Sequence, residues 1–542
     1  MKRALAIALL LAGCTPEVRF ADRAILWREP DTAPIPLPKR RDNLPNWIGL
    51  RDAVFLPADR ELALDYGRES ANVNALDDVG DSTWFSDPRR VVDARGQLRL
   101  RALSPAEMAR GAMGDEDPPV LPLTVVRAKS GGANLGFVAT DARGRKYQIK
   151  IDPPGYIGMD TSTEVVVSRL AWASGWNVPA ETLVDLAPGD LALAPDATRE
   201  DAYGHPLPLS PADFAEYLRH CPTDAHGTLR VLASRWIDGT ILGPFAWFGR
   251  RKDDPNDRVP HEDRRDLRGF GMFSMWVNNI DTLETNTLDS YVGAPGSGHL
   301  VHYQQDVGGS FGARGGAPIA YWMASDIYFA PSRMLAAILT LGAIRQPWEG
   351  EAVRTRRARL AGQFPEIGNF DAAHFDPHDW HPVLDNPAFE RQTARDRYWG
   401  LKRVLAFSPE ELHAAIGTGR YRPKAARRVY DVLLARREKM ARAFLGAVAP
   451  LDFFRFERDR LCFDDLWTRE KLGGAGRYLA SGDGVGAITE TASGACVALA
   501  PRSGYRIVTL AAWRPGMRHA GPPVRVHFVE HPDGRRLIGL ER

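Results

Sequence analysis

Past residue 120 the hydrophobic positions occur in short runs of β-branched and aromatic residues, the pattern of β-strands. Three such runs, at 123–127, 136–140 and 146–152, are separated by turns that contain glycine. This spacing predicts an antiparallel meander. A helix is predicted next, from about Thr161 to Gly175, because apolar residues recur there at helical spacing before a glycine.

Two further runs, 182–186 and 231–237, predict strands on either side of an insert at 187–228. A helical pattern then ends at Asn278, a residue type that commonly terminates helices. More helices with basic outer faces are predicted at 332–341, 396–407, 409–415 and 424–444. After Pro450 the pattern returns to strands, at 477–479, 487–489, 495–499, 505–510 and 524–528, with a hairpin turn at Asp533-Gly534.

These elements predict an α+β protein, because a sheet-forming region is followed by a mostly helical one. At 542 residues the chain is too long for one hydrophobic core. The predicted units are a signal peptide at 1–14, a Pro-rich tether at 15–45, an extension packed on the body at 46–120, a β-rich N-lobe at 121–245, an α-rich C-lobe at 246–450 and a small β-sandwich-like domain at 451–542.

The first residues have the pattern of a targeting signal. Met1-Lys2-Arg3 is followed by an apolar run at 4–12 that is too short to span a bilayer. The run ends in Leu-Ala-Gly-Cys, which resembles the bacterial lipobox, so Cys14 is predicted to be lipidated; the alternative is an ordinary cleaved signal with a chance cysteine. With Thr15 and no Asp after the cysteine, the expected location is the bacterial cell envelope, as an outer-membrane lipoprotein facing the periplasm.

Charge and cysteine content narrow the function classes. A net charge of +2 argues against nucleic-acid binding, which usually requires a strongly basic face. The cysteines beyond residue 14 are few. In an oxidising compartment Cys462 and Cys496 can pair and leave Cys221 single, and two buried thiols are an equally good interpretation. The sequence has no Cys-x-x-Cys pair, which argues against a structural zinc site.

Five polar residues follow one another in the order used by protein-kinase-like catalytic centres. Lys150 ends a predicted strand, and Glu164 stands at the start of the next helix. Asp281 and Asn286 lie in the loop after the helix that ends at Asn278, and Asp306 begins Asp-Val-Gly-Gly after a strand-turn-strand. In this hypothesis Lys150 binds nucleotide phosphates and Glu164 positions it. Asp281 orients or deprotonates the acceptor, while Asn286 and Asp306 bind metal.

Each residue also has a structural interpretation. Lys150 can be a solvated strand lysine, and Thr161 with Glu164 matches the capping box S/T-x-x-E. Asp281 and Asn286 can satisfy local backbone groups as Asx turns do, and Asp306 can belong to a simple turn. The motifs are also incomplete: no G-x-G-x-x-G precedes the lysine, and neither H-R-D, D-F-G nor A-P-E is present. The pattern therefore indicates a two-lobed atypical kinase-like fold.

A longer resemblance covers roughly residues 70 to 445. The segments NVNALDDVGDSTWF, KYQIKIDPPGY, TEVVVSRLAWASGWNVPAET, VNNIDTLETNTLDSYV, HLVHYQQDVGGSFG and HFDPHDWHPVLDNPAF occur in that order. They resemble a family of uncharacterised bacterial exported proteins and lipoproteins with an atypical kinase-like fold. That resemblance implies the fold and the order of the site residues, and it implies no substrate.

A second cluster, His374, His378 and His381, has the composition of a metal site. Pro377 interrupts the helical face that the first two histidines would need, so a packed loop around Trp380 is the favoured interpretation. The sequence contains no H-E-x-x-H or P-loop motif.

The leading functional hypothesis is an envelope-anchored kinase-like phosphotransferase. It would use ATP or another nucleotide with Mg²⁺ or Mn²⁺ and modify an unknown protein, glycan or small-molecule acceptor, and its membrane contact would be the lipid anchor. The alternative is a catalytically silent binding or scaffold lipoprotein with the same fold. A third hypothesis gives the binding role to residues 451–542.

Overall fold

The computed structural model describes most of the chain. The described residues are 18–42, 45–56, 67–93, 97–129, 134–201, 205–325, 331–344, 364–473 and 476–542. Cys14 with the signal segment, and most of the glycine turn at 130–134, lie outside the described residues. Within the described part, no helix is both long enough and apolar enough to cross a membrane.

The chain is an α+β protein, as predicted. Its strands are β1 (Arg90–Val92), β2 (Leu98–Leu100), β3 (Leu123–Ala128), β4 (Gly136–Thr140), β5 (Lys146–Lys150), β6 (Glu181–Leu186), β7 (Leu191–Glu200), β8 (Pro206–Pro208), β9 (Leu229–Arg235), β10 (Thr240–Gly243), β11 (Thr287–Val292), β12 (His299–Gln304), β13 (Ala313–Arg314), β14 (Ala317–Pro318), β15 (Leu451–Glu457), β16 (Arg460–Asp465), β17 (Arg477–Gly482), β18 (Val485–Glu490), β19 (Gly494–Leu499), β20 (Gly504–Trp513), β21 (Val524–His531) and β22 (Gly534–Glu541).

The described α-helices are Pro45–Leu50, Pro105–Arg110, Met159–Ala173, Pro211–Arg219, Arg265–Val277, Pro331–Leu339, Pro387–Glu390, Ala394–Leu405, Pro409–Thr418, Pro423–Phe444 and Leu466–Arg469. The predicted helices of the second half are confirmed to within a few residues at each end. Asn278 ends the helix Arg265–Val277 in the left-handed conformation, with φ of 57°, which asparagine tolerates better than most residues.

The largest sheet has seven strands in the order β6-β9-β5-β4-β3-β7-β8. The meander of β3, β4 and β5 is antiparallel, which confirms the prediction. The insert predicted at 187–228 contributes two strands, β7 and β8, to this sheet. β7 pairs in parallel with β3, and Phe214 of the following helix contacts Phe137 of β4. These residues extend the sheet and cover one face, because the apolar side of β3 and β4 needs a partner.

The segment 67–93 runs through the interior of the helical region. Val79 and Phe85 are fully buried, and Asp78 is 1 % exposed. The carboxylate of Asp78 accepts hydrogen bonds from Lys402 at 2.9 Å and from Arg403 at 3.0 Å. Buried carboxylates need such partners, because an unpaired charge in the interior is strongly destabilising. The helical region therefore contains this segment as part of its core.

The last ninety residues form two four-stranded antiparallel sheets, β15-β16-β19-β18 and β17-β20-β21-β22. Apolar residues from both sheets, among them Leu461, Val497, Val526 and Phe528, form one hydrophobic cluster. Every strand predicted after Pro450 is present, and the Asp533-Gly534 turn joins β21 to β22. The division of the chain into lobes and a separate C-terminal domain stays a prediction.

The two cysteines of this region are paired. Cys462 of β16 and Cys496 of β19 face each other across neighbouring strands and form a disulfide, whereas Cys221 is free and buried. The structure thus selects the paired interpretation over two buried thiols.

Removing this disulfide is expected to destabilise the region 451–542. The cross-link closes a loop with a sequence separation of 34 residues, and a loop of that length contributes about 3 to 4 kcal/mol by restricting the unfolded chain. The double variant Cys462→Ala/Cys496→Ala should show an earlier thermal transition than the wild type, and added reductant should lower only the wild-type transition. Cys221→Ala, which removes a thiol that is not cross-linked, is the control. A double variant with wild-type stability would contradict the expectation.

Candidate active site

Three segments far apart in the sequence meet at the side chain of Lys150. The lysine is the last residue of β5, a strand in the interior of the seven-stranded sheet between β4 and β9. Its ammonium nitrogen donates to Glu164 Oε1 at 2.5 Å and to Asp306 Oδ1 at 2.8 Å. The lysine side chain is only 14 % exposed. The structure therefore brings together three of the five residues selected from the sequence, and Lys150 is not a solvated strand lysine.

Glu164 has a different role from the one that its local sequence suggests. The helix begins at Met159, so Thr161 lies inside it, and the capping-box interpretation was wrong. Asp152 stabilises the helix start instead: its carboxylate accepts from the backbone N–H groups of Gly158, Asp160 and Thr161 at 2.7–3.0 Å. Because Asp152 satisfies these groups, the side chain of Glu164 in the second turn is available to Lys150.

Asp306 lies next to Asn286. Gln305, which precedes Asp306, donates its backbone N–H to the carbonyl of Asn286 at 2.9 Å. Asp306 itself has φ of 54°, and its side chain is 54 % exposed. The chain thus turns sharply at Asp306 and leaves part of the carboxylate accessible to solvent.

The two glycines after Val307 allow the loop to fit between Glu164 and Asp281. A Cβ atom at Gly308 would lie 3.1 Å from Glu164 Oε2, and one at Gly309 would lie 2.8 Å from the Cβ of Asp281. The second distance is shorter than any carbon–carbon contact in a packed protein. Gly309 is therefore needed for the close approach of this loop to Asp281, whereas a side chain at position 308 would require a small shift of the Glu164 carboxylate.

Asp281 and Asn286 belong to one loop. The side-chain amide of Asn286 donates to the Asp281 carbonyl at 2.6 Å, and Asn279 accepts from the Asp281 N–H at 3.2 Å. Asp281 Oδ1 accepts from Nε of Arg314 at 2.9 Å. Among the described residues neither side chain is hydrogen-bonded to Lys150, Glu164 or Asp306. The local backbone bonds of the structural interpretation are thus present, and they hold both residues at the edge of the same site.

A fourth carboxyl group, which the sequence analysis missed, adjoins Glu164. Glu181, the first residue of β6, is 1 % exposed. Burial, and then the charge of Glu164, raise the pKa of Glu181 well above its usual value. Burial also raises the pKa of Glu164, opposed by the ammonium of Lys150. Glu181 therefore holds its proton more tightly than a solvent-exposed glutamic acid does. Nothing in the local sequence marks this residue, because it reaches Glu164 only through the packing of β6 on the helix.

The charges of the site fix the protonation of Lys150 and Asp306. Burial alone would lower the pKa of Lys150, but the carboxylates of Asp306 and Glu164 outweigh it and raise that pKa above its usual value. Lys150 in turn lowers the pKa of Asp306. At neutral pH the lysine is a cation and Asp306 an anion. Burial and, as a smaller cause, the charge of Lys150 lower the pKa of the neighbouring Lys129.

These charged residues line a cavity of about 270 Å³. The remaining lining includes four large apolar side chains, Trp236, Ile237, Ile241 and Leu288. A cavity that combines a cation, carboxylates and an apolar wall can take a ligand with one charged and one apolar part.

The three histidines selected from the sequence do not share a ligand position. His374 is hydrogen-bonded to Asp371 at 2.8 Å and stacks on Tyr321, while His378 packs on Phe444. His381 Nδ1 is 2.6 Å from the carbonyl oxygen of Pro382. Since their partners differ, the packed-loop interpretation is favoured, and in the described part of the chain no metal-type cluster includes these histidines.

No protein-family model and no curated protein matches the sequence. Among solved structures, the chain is similar to the crystal structure of the Golgi casein kinase with Mn/ADP bound, at 10% identity, and to a second crystal structure of that kinase, at 9%. Each match covers 60% of this chain and 72% of the kinase chain, with a TM-score of 0.29. At this distance the likeness assigns no activity, so a function must follow from the chemistry of the site. The resemblance to bacterial exported proteins stays a prediction.

Replacing Glu181 by Gln should change how stability depends on pH. A carboxyl group whose pKa is raised in the folded state stabilises the fold while it is protonated. This contribution is complete below the pKa of the unfolded state, near 4.5, and is lost as the pH rises. E181Q keeps a similar shape and has no proton to lose. Its melting temperature relative to wild type should therefore rise as the pH increases above about 4.5.

The matched control is Glu438→Gln, since Glu438 is an exposed partner of Arg442. Its melting temperature should follow that of the wild type across the same pH range. Parallel pH curves for E181Q and wild type would show that Glu181 titrates normally.

Proposed function

We propose that this protein is a nucleotide- and metal-dependent phosphotransferase. The observation that carries the proposal is the position of Lys150, whose ammonium lies 2.5 Å from Glu164 and 2.8 Å from Asp306 at a cavity with apolar walls. A lysine paired with a helix glutamate, beside a metal-binding aspartate, is the arrangement that phosphoryl transfer requires.

The cavity suits ATP or another nucleotide. Lys150 supplies the positive charge for the phosphates, and Glu164 keeps the ammonium in place. The apolar side chains of Ile237, Ile241 and Leu288, with the indole of Trp236, offer surfaces for a planar base. One ligand class, a base joined to phosphates, matches both sets of residues.

The donor set fits a hard divalent cation. Asp306 offers a carboxylate that is more than half exposed, and Asn286 lies beside it through the Gln305 backbone. Oxygen ligands of this kind are those that Mg²⁺ and Mn²⁺ prefer. The bound cation would neutralise phosphate charge, and Asp306 and Asn286 are the residues that would hold it.

Asp281 is the residue proposed to orient or deprotonate the acceptor. Its carboxylate lies on the far side of Gly309 from the Lys150 cluster, is 23 % exposed, and can accept the proton of a hydroxyl group that approaches the phosphates. The acceptor would be a protein, a glycan or a small molecule with a free hydroxyl. The proposal extends to the lipid anchor at Cys14 and the envelope location facing the periplasm.

Nucleotide binding is testable by thermal shift. A ligand that binds only the folded protein raises its melting temperature, so ATP with Mn²⁺ should stabilise the purified full-length chain. Asp306→Ala should abolish the metal-dependent part of the shift. Asp483→Ala removes an exposed aspartate that pairs with Arg502 and does not line the cavity, and should keep the full shift. If no nucleotide shifts the wild type, the silent-scaffold alternative replaces this proposal.

Substitution of Asp281 should slow phosphoryl transfer without weakening nucleotide binding. Asp281→Asn keeps the size and the hydrogen-bonding capacity of the side chain but removes its basicity. We expect nucleotide affinity near that of the wild type and a transfer rate lower by roughly 100-fold, the usual contribution of a general base. The measurement is phosphate release or acceptor labelling from γ-labelled ATP, beside nucleotide affinity by calorimetry. An unchanged rate would remove Asp281 from the mechanism.

A further inference from the structure

Arg314, on a short hairpin, contacts Asp281, the residue proposed to deprotonate the acceptor. The hairpin is made of β13 and β14, with Gly315 and Gly316 at its turn, both at positive φ (60° and 73°). It begins seven residues after Asp306, on the same segment as Asp-Val-Gly-Gly. Whatever positions the hairpin also positions the guanidinium of Arg314.

The hairpin is fastened to the rest of the site on two sides. Its backbone N–H at Gly316 donates to Asp160 Oδ2 at 2.9 Å, and the same oxygen accepts from the amide of Asn134 at 2.5 Å. On the other side Phe311 is fully buried, donates its N–H to the carbonyl of Val277 and packs on Phe370. Arg314 is therefore presented from a fixed backbone and not from a free loop.

Only one edge of the Arg314 guanidinium is hydrogen-bonded within the described residues. Its Nε donates to Asp281 Oδ1 at 2.9 Å, and the side chain is 32 % exposed. Within the described residues the two terminal nitrogens donate no hydrogen bond. A guanidinium fixed at one edge presents its other edge as a two-pronged donor, the geometry that matches two oxygens of a phosphate group.

The proposed transfer step needs a cation on the side of the site where Asp281 lies. A phosphoryl group in transfer between nucleotide and acceptor must pass between Lys150 and Asp281. Lys150 is paired with Glu164 and Asp306 and is proposed to bind the nucleotide phosphates, so it does not face Asp281. Charge builds up on the equatorial oxygens of a transferring phosphoryl group and needs a cation beside it. Of the site residues described, Arg314 is the cation in contact with Asp281.

We propose that Arg314 is a catalytic residue that binds the terminal phosphate of a nucleoside triphosphate. This inference rests on the proposed phosphotransferase function. In the reaction the bond between the terminal phosphorus and its bridging oxygen breaks, and the acceptor oxygen forms the new bond. Asp281 takes the hydroxyl proton, and the diphosphate leaves with the bridging oxygen. Arg314 contacts the oxygens of the group that moves, so it distinguishes a triphosphate from a diphosphate.

The test compares Arg314→Ala and Arg314→Lys with wild type. In the presence of Mn²⁺, calorimetry measures the affinity for ADP and for an ATP analogue whose terminal phosphate is not transferable. Arg314→Ala should bind ADP as the wild type does and lose roughly 10-fold or more of its affinity for the triphosphate, as loss of a charge-assisted pair implies. Its transfer rate should fall roughly 100-fold, and Arg314→Lys should recover part of both. Arg502→Ala, which removes an exposed arginine of another ion pair, should behave as wild type.

The outcomes separate this inference from the proposed function. ADP binding by both wild type and Arg314→Ala, with the triphosphate preference lost only in the variant, supports it. Equal triphosphate preference and equal rates overturn it while leaving the phosphotransferase proposal intact. A faster Arg314→Ala enzyme also overturns it, because Arg314 would then be blocking Asp281. Absence of ADP binding in the wild type overturns both. If Arg314→Ala does not fold, Arg314→Lys carries the same comparison, since it retains the charge and loses the two-pronged donor.

Discussion

The ammonium of Lys150 between two carboxylates is the interaction on which the site depends. It connects the end of a strand inside the sheet to a buried helix and to the Asp306 turn, and the three segments have no other common contact of this kind in the described structure. The balance is electrostatic. Burial disfavours the charged lysine, while Glu164 and Asp306 restore it and raise its pKa. Loss of any one member leaves a charge without its partner, which a buried site tolerates poorly.

A second set of buried ion pairs supports the loop that carries Asp281. Asp396 accepts from Arg265 at 3.0 Å and from Arg268 at 2.7 Å, and all three side chains are inaccessible to solvent. These bonds fix the helix Arg265–Val277 against the helix Ala394–Leu405. Since the first helix ends at Asn278, three residues before Asp281, the ion pairs of the core set the position of the loop that carries Asp281.

Small residues complete the arrangement. Gly308 and Gly309 let one loop contact both Glu164 and Asp281; a Cβ atom at position 309 would lie only 2.8 Å from the Cβ of Asp281. The loop thus lies between Glu164, in the proposed nucleotide site, and Asp281, the residue proposed to act on the acceptor. This closeness is what makes transfer between them, and a role for Arg314 at their boundary, chemically reasonable.

The sequence by itself determined the features that depend on neighbouring residues. Alternation of apolar residues predicted the meander ending at Lys150, helical spacing and Asn278 predicted the helix and its exit, and residue order selected Asp281, Asn286 and Asp306.

Contacts between distant segments were decided only by tertiary structure. Glu164 matched a capping box locally, yet it binds Lys150, because Asp152 caps the helix. Residues 191–200 read as an insert, yet they pair with β3 across the sheet. Glu181 and Arg314 have no local signal at all. Periodicity and turn chemistry act over a few residues, whereas the partners of Lys150 lie 14 and 156 residues away, and packing alone brings them within hydrogen-bonding distance.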